Sequence, residues 1–282
     1  MKKILIPTDF SDNAFNAVRY ALQLFAEETC TFTLLNSYNP PMAEQVNPMT
    51  TADTARVILD MAKKTSEDGL NEVLQKISAD FPNKNHTFKT VSEYNFLKEA
   101  IEELVEAEKP DLIVMGTKGA SGLKEIFLGS NTARVISQIE CPLLAVPENA
   151  TFSPIKEIAF ATDYDYYFER SEMETMIDLI NKFDAGFHVF HVLEHGEELP
   201  EVKAKVRNYL ADIFKEQKPD FRLLTEAKLD TATRIFIQSR DVDLLCMVTR
   251  KQTFIERLFG KSRTGGISFH VQIPLLILRK EN

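Results

Sequence analysis

The chain contains the sequence Asp111-Leu112-Ile113-Val114-Met115-Gly116-Thr117-Lys118-Gly119, in which an apolar run leads directly into a pair of glycines. An apolar run between polar residues is typical of a buried strand in a parallel sheet. Gly129-Ser130 follows after nine further residues, and 131–139 then carry apolar side chains at helical spacing. The predicted order is therefore strand, glycine loop and helix. Because glycines let backbone amides approach a ligand and a helix start attracts anions, the predicted ligand carries phosphate.

Two other segments of the first half agree with this prediction. Ile4-Leu5-Ile6-Pro7-Thr8-Asp9-Phe10-Ser11 is an apolar run that ends at an acidic residue. Cys141-Pro142-Leu143-Leu144-Ala145-Val146-Pro147 is a second apolar run, placed after the predicted helix. With the glycine loop between them, these segments resemble the nucleotide-binding branch of the universal stress protein family. The resemblance implies a Rossmann-like α/β domain.

The same resemblance implies the ligand and the residues that hold it. Asp9 would lie against the adenine or ribose of ATP, and Asn36 and Ser37, after the second strand, would line the adenine pocket. Ser37 stands where the family often has valine. Mg²⁺ would bridge the phosphates. The phosphates would be held by Gly116, Gly119, Gly129, Ser130 and Asn131, and the predicted site also includes their neighbours Met115, Thr117 and Lys118 and the strand end Pro7 and Thr8.

The second half of the chain repeats the first. The matched segments are 4–10 with 158–164, 32–36 with 187–191, 111–115 with 243–247 and 142–144 with 274–276. Alternating strands and helices in each copy predict an α/β fold of two tandem doubly wound domains, 1–148 and 155–282. Each domain would be a five-stranded parallel sheet with helices on both faces. The last strands, 143–146 and 275–278, are apolar enough to pair within one chain as an intramolecular pseudo-dimer, and a homodimer of whole chains is also possible.

The second copy lacks the glycines of the loop. Val248, Lys251 and Lys261 stand at the positions that match Gly116, Gly119 and Gly129. Because a Cβ at these positions would block the close backbone approach, the second copy is predicted not to bind ATP in the family manner. The region is basic, which leaves three readings open: a site for another anion, ion pairs, or a solvated surface.

The first copy carries about 22 extra residues between Tyr38 and Ala79. Residues 54–77 of this insertion are predicted to be helical. A long loop after the second strand lies at the carboxyl edge of an open sheet, where ligands bind. The insertion is therefore either a lid over the first site or a solvated excursion.

The second copy contains two polar clusters that are candidate binding sites. Asp163-Tyr164-Asp165-Tyr166-Tyr167 follows the first strand of this copy and is predicted to be a helix entrance with packing aromatics. His188 and His191 fall on opposite sides of a strand, so no zinc pair is predicted.

Composition bounds the class of protein. A formal net charge of −9 argues against nonspecific nucleic-acid binding. No apolar run approaches the length of a membrane span, and the apolar start is too short for a signal peptide. The three cysteines are widely spaced and lie in or beside predicted strands, which favours buried thiols in the cytoplasm.

The function favoured by these features is that of an ATP-binding regulator of the stress response with an unidentified protein partner. A slow ATPase is the first alternative, with charge from Lys118 and Asp9 as the nearest candidate for a base. The second alternative is a binding module for a non-nucleotide anion.

Overall fold

The computed structural model describes residues 1–39, 52–117, 130–193, 198–249 and 272–279. These residues form two compact units, of which the first contains the described residues up to Ile139 and the second those from Glu140 onwards. Each unit is built from alternating strands and helices, and the predicted α/β fold is confirmed.

The first unit contains four strands and four helices. They are β1 (Lys2–Pro7), α1 (Asp12–Leu24), β2 (Cys30–Tyr38), α2 (Ala52–Asp80), β3 (His86–Tyr94), α3 (Leu97–Glu108), β4 (Leu112–Gly116) and α4 (Ser130–Gln138). The strand order is β3-β2-β1-β4, and β1 pairs in parallel with both β2 and β4. The chain therefore crosses over from one side of β1 to the other, which is the doubly wound arrangement.

Helices cover both faces of this sheet. Thr33 of β2 donates a hydrogen bond from Oγ1 to Glu108 Oε2 of α3 over 3.0 Å. Ser92 of β3 lies on the other face, because side chains alternate along a strand, and its hydroxyl contacts that of Ser66 in α2 over 2.8 Å. The apolar side chains of β1, β2 and β4 are thereby enclosed, and Ile4, Phe32 and Ile113 are at most 1% exposed.

The described residues of the second unit form six strands and three helices. They are β5 (Leu143–Val146), β6 (Glu157–Ala161), α5 (Glu174–Phe183), β7 (Gly186–Val192), α6 (Glu201–Ile213), β8 (Asp220–Leu224), α7 (Leu229–Ser239), β9 (Leu244–Thr249) and β10 (Leu275–Arg279), with 3₁₀ turns at Ser171–Met173 and Lys215–Gln217. The strand order is β5-β10-β9-β6-β7-β8. Its helices also lie on both faces, because Phe190 packs on Phe236 of α7 and Phe187, on the opposite face of β7, packs on Phe214 after α6.

Strand β5 belongs to the first copy by sequence but to the second unit by its contacts. It pairs antiparallel with β10, and Leu144 lies opposite Leu276. This is the pairing of the two last strands that the sequence allowed. The other pairs described within the two units are parallel. An apolar strand edge that would otherwise be exposed is covered in this way.

The insertion of the first copy is largely one long helix. The predicted helix at 54–77 is confirmed as α2, which has 29 residues where the matching helix α6 has 13. Gly69 of α2 lets the helix approach the turn after β1, because a Cβ there would come within 2.6 Å of the Phe10 ring. Residues 40–51, which precede α2, lie outside the described residues, so the prediction of a lid stays a prediction.

The first helix of each unit begins at a different place. In the first unit α1 begins at Asp12, directly after the turn at the end of β1, and Ser11 caps it by accepting a hydrogen bond from the Ala14 amide over 3.2 Å. The matching position in the second unit is 166, but α5 begins only at Glu174. The prediction that 163–167 form a helix entrance was wrong. The carboxylate of Asp165, at the position of Ser11, pairs instead with Lys203 over 2.9 Å.

Candidate functional site

The turn after β1 places the predicted base-side residues at the carboxyl end of the strand. The Thr8 amide donates to the Leu35 carbonyl over 2.8 Å, which extends the β1–β2 ladder beyond Pro7. Thr8 Oγ1 then accepts from the Phe10 amide over 3.1 Å, and Phe10 adopts a φ of 66°. The chain turns sharply here and leaves Asp9 exposed to solvent.

The Asp9 carboxylate is held within the same turn. Its Oδ1 accepts hydrogen bonds from the amide and the hydroxyl of Ser11, over 3.1 and 2.6 Å. The side chain is therefore fixed in direction before any ligand arrives. A carboxylate fixed in this way can accept hydrogen bonds from the hydroxyls or amino groups of a ligand.

Asn36 joins β2 to this turn. Its Nδ2 donates to the Thr8 carbonyl over 2.8 Å, and the side chain is buried. Asn36 therefore shapes the site by holding the Thr8 peptide, a role that its residue type did not reveal. Ser37, the next residue, faces the opposite side of the strand and is half-buried.

Gly116 ends β4 in a space that admits no side chain. A Cβ on this residue would lie 2.7 Å from Asn13 Nδ2 and 3.2 Å from the Asn13 carbonyl oxygen in the first turn of α1. The need for glycine here comes from this close approach, which a Cβ would prevent. Met115 and Thr117 on either side are buried.

Helix α4 also contacts Gly116. Thr132 Oγ1 donates to the Gly116 carbonyl over 2.8 Å, and Thr132 is 2% exposed. Sequence reasoning missed Asn13 and Thr132 as parts of the site. Each follows a predicted site residue by a few positions, at the start of a helix, and that spacing was the available signal.

Several predicted residues cannot be placed. Lys118, Gly119 and Gly129 lie outside the described residues. Ser130 and Asn131 begin α4, and Asn131 is exposed. Among the described residues, Thr8, Asp9 and Asn36 meet at one strand end and Gly116 lies against the first turn of the helix that follows Asp9.

The turn after β1 has a counterpart in the second unit, after β6. Thr162 Oγ1 accepts from the Tyr164 amide over 3.1 Å, Tyr164 has a φ of 55°, and Asp163 Oδ1 accepts from the Asp165 amide over 3.1 Å. His191 takes the place of Asn36, with Nδ1 2.8 Å from the Thr162 carbonyl oxygen. The repeat predicted from sequence therefore extends to individual hydrogen bonds.

The surroundings of that second turn are different. Burial, with the nearby negative charge of Asp165, raises the pKa of the Asp163 carboxyl, although the positive charge of Lys203 opposes the shift. The Lys203 ammonium also donates to the Asp163 carbonyl over 2.8 Å. Helix α5 begins eight residues later than the position that matches the start of α1.

The described part of the chain contains no cluster of three histidine, cysteine, aspartate or glutamate side chains arranged for a metal ion. His188 and His191 have separate partners, as their opposite directions on β7 predicted: His188 Nε2 lies 2.9 Å from Glu157 Oε2. None of the described helices has the length and apolar character needed to cross a bilayer.

Comparison with known proteins gives a match to a family model. Residues 1–147 match the universal stress protein family. The universal stress protein MJ0531 of Methanocaldococcus jannaschii is 32% identical over 145 residues, covering 51% of this chain and 81% of the relative. A second protein of that organism, MJ0577, is 31% identical over 161 residues, covering 51% and 94%.

One solved structure resembles the chain along its whole length. The crystal structure of a universal stress protein from Archaeoglobus fulgidus covers 99% of this chain and 98% of its own, with a TM-score of 0.67 and 18% identity. At that identity the likeness concerns the fold.

Proposed function

The chain belongs to the universal stress protein family, and we propose that its first copy binds ATP at the carboxyl ends of β1, β2 and β4. The observation that carries the proposal is the placement of Gly116. Gly116 ends β4 against the first turn of α1, the helix that follows the fixed carboxylate of Asp9. The strand order reverses between β1 and β4, and in doubly wound sheets ligands bind outside the carboxyl ends of the strands at that point.

The residues around this strand end would have separate roles in binding the nucleotide. Asp9, directed by Ser11, would accept hydrogen bonds from the ribose or base, and Asn36 would hold the Thr8 peptide that carries Asp9. The phosphates would lie along the glycine loop and the start of α4, where unpaired helix amides favour negative charge. Mg²⁺ would add charge neutralisation between the phosphates.

We propose one nucleotide site per chain. In the second copy Val248, Lys251 and Lys261 replace Gly116, Gly119 and Gly129. The second turn keeps its hydrogen bonds, but the glycines that would admit a phosphate are missing. Tandem copies with one working site would let the second copy serve another purpose within the chain.

We infer a regulatory rather than a catalytic role. Both hydrogen bonds described for the Asp9 carboxylate come from Ser11, which gives it the character of a turn residue. Hydrolysis would require a base that positions water, and the described residues around the turn supply none beyond Asp9. Occupancy would then change the affinity for a protein partner in the stress response. The buried thiols of Cys30, Cys141 and Cys246 agree with a reducing compartment, the cytoplasm.

Isothermal titration calorimetry with Mg²⁺ and ATP tests the proposal. We expect one equivalent per chain. The variant Asp9→Asn should weaken binding at least tenfold, and Asp163→Asn, the same change at the matching turn of the second unit, should leave it unchanged. Two equivalents, or equal losses in both variants, would contradict the assignment to the first copy. Phosphate release at many turnovers per hour by the parent, abolished by Asp9→Asn, would favour the ATPase instead.

A further inference from the structure

Two side chains outside the predicted site lie against Gly116. The buried Asn13 of α1 leaves no room for a side chain at residue 116, because a Cβ there would lie 2.7 Å from Asn13 Nδ2. Thr132 Oγ1 of α4 donates to the Gly116 carbonyl over 2.8 Å. The end of β4 is thereby in contact with the first turns of two helices.

The hydrogen bond from Thr132 sets the direction of the peptide that follows Gly116. In a trans peptide the C=O and the N–H point in opposite directions within one plane. Because the Gly116 carbonyl points to Thr132, the amide of Thr117 points away from α4. The threonine hydroxyl therefore fixes the direction in which the Gly116–Thr117 peptide presents its N–H at the end of β4.

We propose that Thr132 is a positioning residue that tunes the site for phosphate-bearing ligands. It acts through the Gly116 peptide and need not touch the ligand itself. Asn13 packs against the same residue and limits how close α1 can lie to β4. The inference rests on the proposed nucleotide site, and it adds a reason why the site would distinguish a nucleotide from its nucleoside.

The chain offers a matched set of variants. Thr132→Val removes the hydroxyl with little change in shape, and Thr132→Ser keeps it. Thr33→Val is the control, because Thr33 is also buried and its hydroxyl donates to Glu108 over 3.0 Å, far from the strand ends of the site. Each variant is titrated with ATP, ADP, AMP and adenosine, and its stability is measured by urea denaturation.

A positioning role predicts a loss that depends on phosphate. Thr132→Val should bind ATP about tenfold more weakly, the effect of one hydrogen bond, while its affinity for adenosine stays within about twofold of the parent. Thr132→Ser should bind ATP like the parent. Thr33→Val should lose stability to a similar extent and retain its affinity for ATP.

The outcomes separate this inference from the proposed function. ATP affinity unchanged in Thr132→Val, or equal losses for ATP and adenosine, would overturn the positioning role while the nucleotide site stands. A parent chain that binds none of the four ligands would overturn the nucleotide site, and the positioning role with it.

Discussion

The substitution Gly116→Ala tests the central packing relationship of the site. The added Cβ would lie 2.7 Å from Asn13 Nδ2, 2.9 Å from Asn13 Cγ and 3.2 Å from the Asn13 carbonyl oxygen. The amide can move only within a packed region, because Asn13 is 6% exposed, and the carbonyl is fixed in the first turn of α1. The substitution therefore forces a shift of α1 against β4.

Two opposing effects set the change in the free energy of unfolding. Overpacking of this kind typically costs about 1–3 kcal/mol. Replacement of glycine by alanine also restricts the unfolded chain and returns about 0.4–1 kcal/mol. The net loss in the free energy of unfolding should be about 0.5–2 kcal/mol, and ATP affinity should fall because the loop is displaced.

A double-mutant cycle identifies the cause. Asn13→Ala removes the two closest atoms, so the pair Asn13→Ala and Gly116→Ala should recover at least about 1 kcal/mol relative to the sum of the single changes. The chain contains no tryptophan, so urea denaturation is followed by far-ultraviolet circular dichroism. Full stability of Gly116→Ala, or additive effects in the cycle, would refute the argument that Gly116 is required by the approach of Asn13.

Two further predictions concern the second unit. Tyr164→Phe removes a hydroxyl that is buried and has no hydrogen-bond partner within the described part of the chain, so urea denaturation at pH 7 should show a gain of about 1–2 kcal/mol. Burial raises the pKa of Tyr164 to about 12, against 10.0 when unfolded, so between these pH values the unfolded state ionises first. The free energy of unfolding of the parent should therefore fall by up to about 2.7 kcal/mol across this range, while that of Tyr164→Phe should not. Parallel pH profiles of the two proteins would contradict this. Val248→Gly restores one of the three missing glycines and leaves Lys251 and Lys261 in place, so calorimetry should still give one equivalent of ATP. A second equivalent would show that the residue at 248 alone was limiting.

The sequence predicted those features that depend on local pattern. The helix expected at 131–139 is α4 at Ser130–Gln138, because apolar spacing and a preceding glycine both act within a few residues. The sequence could not reveal that Thr132 forms a hydrogen bond with Gly116, because that contact joins residues sixteen positions apart. Nor could the sequence reveal that Asp165 pairs with Lys203 on α6, because that contact joins residues from separate elements of the fold.

The two turns show why a matching motif is a weak guide to a matching site. Thr8-Asp9 and Thr162-Asp163 share their hydrogen bonds and the positive φ of the residue that follows, so the turn itself is determined by local geometry. What separates the units is the next step, where Ser11 caps a helix and Asp165 does not. The proposed phosphate site depends on the glycine loop and the start of α4, and neither of these belongs to the turn. The turn can therefore persist as a structural element after its partners have changed, and an acidic residue after the first strand identifies the fold more securely than it identifies a ligand.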